Sequence, residues 1–139
     1  MKDREEMLFF ALLAIAALIG FFSYSIKIPA IPVQNINISS CGVLNTPADY
    51  NLIKNVSSSL ACFKITSMNS VLDCHGFSIS GNGQGYGVEV FGNNNIVRNC
   101  MLVDFPEGIY ISLTSANNTL VDNQMTTAKK LGVLNASSG

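Results

Sequence analysis

The sequence predicts an all-β parallel solenoid of about four coils behind one N-terminal transmembrane helix. Three observations carry this. Leu8–Ile26 is an uncharged, almost wholly apolar run of nineteen residues. From Asn35 onward Asn, Ser and Gly become frequent, and charges are single and scattered. Within this polar stretch a segment recurs with a period in the mid-twenties: NSVLDCHGF at Asn69–Phe77, NNIVRNCML at Asn94–Leu102 and NTLVDNQMT at Asn118–Thr126.

The composition narrows the function classes. Of 139 residues, 48% are hydrophobic, 12% are charged, and the net charge is -1. So little charge excludes an acidic or basic disordered tail. Without a basic cluster the electrostatic footprint of a nucleic-acid binder is missing, so no nucleic-acid partner is expected. A single histidine, His75, rules out a two-histidine zinc motif.

Residues 1–7 read as a short cytoplasmic leader, MKDREEM. Residues 8–26 would span ~28 Å as a helix, close to the ~30 Å hydrocarbon core. Two basic residues precede the run and Lys27 follows it, which favours an inside N-terminus. The alternative is a cleaved signal peptide, with Ser23 and Ser25 before a cut after Ser25. The long apolar run and the acidic leader favour a signal anchor. Either way the rest of the chain is extracytoplasmic, and the expected location is the cell membrane, single-pass. Residues 27–34, with two prolines, form an extended linker.

Residues 35–139 form the repeat domain. Taking Leu72, Val97 and Val121 as equivalent gives steps of 25 and 24 residues. Downstream, GVEV (Gly87–Val90), GIYI (Gly108–Ile111) and GVLN (Gly132–Asn135) recur, and Phe63 lies 25 before Val88. Each unit thus has two short alternating strands and Asn/Gly/Ser-rich turns. Such a unit cannot bury its own apolar face, so units must stack. Alternation then places Leu72, Val97 and Val121 inside, with Asn99 and Asn123 stacked near them and Cys74 in the same column. Phe77, Leu102 and Thr126 form another inward column, and Val88, Ile109 and Val133 a third. Asp73, Arg98 and Asp122 form an outward ladder of alternating sign, worth ~0.2–1 kcal/mol per pair.

The repeated N-N-x-[IV]-x-N-[CQ] pattern followed by G-[VI]-x-[VI] resembles the right-handed parallel β-helix repeat proteins, including the NosD-like β-helix family. The resemblance covers about Cys62–Gly139 and, more loosely, begins at Cys41. It implies a right-handed solenoid. It also implies a range of roles: carbohydrate binding, carbohydrate cleavage, copper-protein maturation, or surface display. The coil number is low for such proteins, and NASSG directly follows a strand. The domain is therefore expected to be truncated at its C-terminal end or capped by another subunit.

Several residues are site candidates. Cys41 and Cys62 are a disulfide candidate worth ~3 kcal/mol, although spacing alone does not fix connectivity. Cys74 and Cys100, offset by one column, read as small buried hydrophobes. His75 and Cys100 would offer imidazole and thiolate to a soft metal such as copper(I), but two donors do not make a site, so no metal or cofactor is expected. Glu89, Asp104 and Glu107 are the acidic candidates for acid–base work on a sugar, with nothing in the sequence to suggest burial. GNGQGYG (Gly81–Gly87) is a coil-to-coil turn that matches no phosphate loop. Asn37, Asn55 and Asn117 head N-x-S/T sequons and are glycosylation candidates; Asn135 heads a fourth but aligns with inward positions. Outward Tyr110, Glu89 and Lys64 are the expected contact residues. The leading reading is a membrane-anchored surface protein with a binding or structural role, in contact with glycan or other surface proteins, rather than an enzyme. Alternatives are a fragment of an extracellular polysaccharide lyase or hydrolase with its catalytic residues in missing coils, and a pilus-like filament subunit.

Overall fold

The structure is a computed structural model that describes residues 33–126. Residues 1–7, the apolar run 8–26 expected to cross the membrane, most of the expected linker, Val133 and Asn135 lie outside the described residues. The described chain is all strand and turn, and among the described residues no helix is long and apolar enough to cross a membrane.

Thirteen short strands follow one another: β1 (Gln34–Ile38), β2 (Gly42–Leu44), β3 (Ala48–Leu52), β4 (Val56–Ser57), β5 (Phe63–Ile65), β6 (Val71–Asp73), β7 (Ser78–Ser80), β8 (Tyr86–Val90), β9 (Ile96–Arg98), β10 (Met101–Val103), β11 (Glu107–Ile111), β12 (Thr119–Val121) and β13 (Gln124–Thr126). They build three sheets: sheet I in the order β1-β3-β6-β9-β12, sheet II in the order β4-β7-β10-β13, and sheet III in the order β2-β5-β8-β11. Every pairing is parallel and joins one coil to the next. This is a parallel β-solenoid of about four coils, as the repeat predicts. Each full coil has three strands rather than two, because the Asn-led repeat holds a strand of sheet I, a corner and a strand of sheet II.

The core is the inward file of each sheet. Leu52, Phe63, Ile65, Leu72, Ile79, Val88, Val97, Leu102 and Ile109 are at most 1% exposed. Each such side chain contributes about 1.5–3 kcal/mol by leaving water. The first full coil has its phase set by Tyr50, which pairs with Leu72 and faces in, while Ile53 lies exposed.

The register corrects four expected columns. Val97 pairs with Leu120, not Val121; Val121 pairs with Arg98 and is 39% exposed. The cause is the doubled asparagine at 117–118. Asn118, not Asn117, takes the corner position of Asn95, donating Nδ2–H to the Gly92 carbonyl and accepting the Asn95 N–H, each at 2.9 Å. Two residues on, Leu120 therefore faces in. The same shift places Asp122 level with Asn99 and Asn123 level with Cys100, so neither Asn99/Asn123 nor Asp73/Arg98/Asp122 is a continuous column. On sheet II the inward file is Val56, Ile79, Leu102 and Met125; Phe77 and Thr126 are not in it. There, four residues separate β6 from β7 where two separate β9 from β10, and this two-residue insertion displaces Phe77.

Candidate functional site

The sheet III face gathers the expected contact residues. Lys64 on β5 pairs with Glu89 on β8, and Glu89 pairs with Tyr110 on β11. Val43 on β2 extends this outward file by one more strand. At ~4.8 Å per strand the four positions span ~14 Å.

The strands bend to make this face. β8 and β11 both read out-in-in-out-in, with Gly87 and Gly108 at the first inward position. A Cβ at Gly87 would collide with Leu102, and one at Gly108 would lie 2.7 Å from Leu102 Cδ1. Glycine leaves that space to Leu102, and the backbone turns over the core with Tyr86 and Glu89, or Glu107 and Tyr110, three apart and both outward. Tyr86 pairs with Glu107 and Glu89 with Tyr110. The result is a lattice with tyrosines on one diagonal and glutamates on the other.

Aromatic contacts tie it together. The Tyr86 and Tyr110 rings lie 5.1 Å apart, and Phe91 stands 6.0 Å from Tyr110. Lys64 Nζ lies 4.7 Å from the Phe91 ring centre, a cation–π contact, and makes no ion pair with Glu89. Glu107 Oε2 is out of solvent contact and has no hydrogen-bond partner among the described residues. Leaving such a buried acceptor unpaired costs about 1–3 kcal/mol. Beside Glu89 and Lys64, a shallow depression of ≈ 310 Å³ runs past Val43 to the Cys41–Cys62 disulfide.

Tyr86, Phe91 and Glu107 are not among the expected contact residues. Their signal is in the repeat: YGVEV and EGIYI carry the same two residue types, swapped, around the same glycine. Of the acidic candidates, Glu89 and Glu107 share this face, whereas Asp104 sits in an exposed turn with φ 56°.

A second cluster occupies the corner between sheets I and II. Asp73 is buried, and its carboxylate accepts from Arg98 Nε (2.7 Å), Asn99 Nδ2 (3.0 Å) and the His75 N–H (2.9 Å). Burial pushes this carboxyl up, but the Asn99, His75 and Arg98 hydrogen bonds and the nearby His75 imidazole outweigh it, and its pKa falls below the ordinary 3.8. So Asp73 and Arg98 pair as expected, yet Asp73 is a buried acceptor rather than an exposed rung. His75 Nε2 meets Asn51 Oδ1 at 2.9 Å.

Cys74 and Cys100 are joined in a disulfide, which corrects their reading as unpaired hydrophobes. The insertion His75-Gly76, with φ of 49° and 81°, folds the corner so that the two Cα atoms come to 4.8 Å. The Cys100 sulfur is thus no thiolate ligand beside His75. Among the described residues no group of three or more His, Cys, Asp or Glu is placed to hold a metal. Cys41 and Cys62 form the other disulfide. Of the sequons, Asn37 and Asn117 are exposed, and Asn55 accepts the Ser78 N–H through Oδ1 at 2.9 Å.

The chain matches no protein-family model, no curated protein and no solved structure.

Proposed function

We propose that the chain is a membrane-anchored, extracytoplasmic β-helix that binds glycans at the cell surface through its sheet III face. The right-handed, NosD-like resemblance of its repeat and the apolar run 8–26 support this reading. The observation that carries it is the union of Tyr86, Tyr110 and Phe91 with Glu89, Glu107 and Lys64 on one face. Aromatic rings offer flat apolar area to the C–H face of a sugar, and the carboxylates between them accept from its hydroxyls. A line of outward residues along the coil stack suits an extended polysaccharide better than a compact ligand.

A glycan array probed with the full chain tests this. Binding to a defined set of oligosaccharides is expected, with at least a tenfold loss in Tyr110→Ala. An array on which the wild type binds nothing would end the reading.

A further inference from the structure

We infer that the sheet III face selects glycans bearing free amino groups, that is, amino sugars carried as ammonium ions; this rests on the glycan-binding reading above. A face built for neutral sugars needs only rings and a balanced set of donors and acceptors. This one is unbalanced. Around the two tyrosines it presents Glu89 and Glu107, and among the described residues neither carboxylate has an ion pair. The nearest cation in the file, Lys64, is drawn aside over Phe91. Among the described residues no donor reaches Glu107 Oε2.

An ammonium group meets all of these features at once. It supplies up to three donors and a positive charge to the glutamates. The electron-rich faces of Tyr86 and Tyr110 attract it as well. An N-acetylated sugar keeps the ring but loses the charge, so it retains stacking and gives up the rest. The alternation of tyrosine and glutamate on neighbouring strands repeats the same pair of contacts along the coil stack. It thus meets successive amino sugars of one chain.

The test is calorimetric titration of the full chain, in mild detergent, with β-1,4-linked glucosamine tetramer, its N-acetylated counterpart and a tetra-lysine peptide. The amine tetramer is expected to bind at least tenfold more tightly than the acetylated one. Glu89→Gln and Glu107→Gln should bring that ratio toward one by weakening the amine tetramer more than the acetylated one, and Tyr86→Ala should weaken both sugars. Equal or tighter binding of the acetylated tetramer would overturn the amine preference and leave glycan binding standing. Binding of neither sugar would end both. Tighter binding of tetra-lysine than of the amine tetramer would also overturn the proposal, because charge alone would then suffice.

Discussion

The solenoid turns two kinds of corner, and they are held by different means. Between sheets III and I, where three to seven residues link the strands, the last three coils turn through the same local geometry. Asn69, Asn94 and Asn117 adopt φ of 55°, 56° and 57°, and the next residue is Ser70, Asn95 or Asn118. Each of these bonds to the coil before it. Asn95 accepts the Ser70 N–H (2.9 Å) and donates to the Ser67 carbonyl (3.0 Å); Asn118 repeats both contacts one coil on. Ser70 Oγ accepts the Ala48 N–H at 3.3 Å. Between sheets I and II the coils differ in length, and no ladder runs the whole way. There the Cys74–Cys100 disulfide and the buried Asp73 cluster join one coil to the next. Asn123 makes the same amide contact at the last of these corners, accepting the Cys100 N–H (3.1 Å) and donating to the Val97 carbonyl (2.8 Å), so the added clamp belongs to the corner that carries the His75-Gly76 insertion.

The largest expected effect breaks that clamp. Cys74→Ser with Cys100→Ser should cost about 3 kcal/mol, or roughly 15 °C in thermal midpoint. Differential scanning calorimetry of the oxidised wild type and the double variant measures this. A loss smaller than that of the ladder variant below would show that the irregular corner stands without its disulfide.

A smaller effect is expected at the regular corner. Asn95 is 1% exposed, and Asn95→Ala strands the Ser70 N–H and the Ser67 carbonyl. A loss of about 2 kcal/mol should follow in urea titration. Asn95→Asp retains the acceptor but loses the donor, and its stability should fall between those of the wild type and Asn95→Ala. Equal loss for both variants would mean that the amide nitrogen carries the whole contact.

The smallest effect is present at neutral pH and disappears in acid. Because the Asp73 pKa is lowered on folding, its contribution is complete above the unfolded value near 3.8 and is lost as pH falls through the lower folded value. The thermal midpoints of wild type and Asp73→Asn should therefore differ by a constant amount at neutral pH and converge below 3.8. A gap that widens in acid would reverse the sign assigned to this group.

What is legible in the sequence divides along the same line. The Asn-led repeat, the alternation and the GVEV/GIYI pair are enough to predict a parallel stack of about four coils, with Lys64, Glu89 and Tyr110 outward. Periodic features survive in a linear string because every copy repeats the same constraint. Val121 is misplaced by the adjacent asparagines, Asn117 and Asn118, either of which can begin the repeat in a linear alignment. Only the amide bonded to the coil below decides between them. The Cys74–Cys100 pairing is hidden for a related reason. An alignment that ignores the two-residue insertion at His75-Gly76 keeps the cysteines a column apart, and only the folded turn brings them together.

By itself, the order of residues determined the repeat period, the stacking of coils and the outward placement of Lys64, Glu89 and Tyr110, since alternation about a buried file leaves little choice there. The tertiary structure decided which neighbours meet across coils: Tyr86 beside Tyr110, Lys64 over Phe91, Asp73 among Arg98, Asn99 and His75, and Cys74 against Cys100. Those contacts depend on register between segments more than twenty residues apart. Register is fixed by corner geometry, where a single added or doubled residue moves everything that follows.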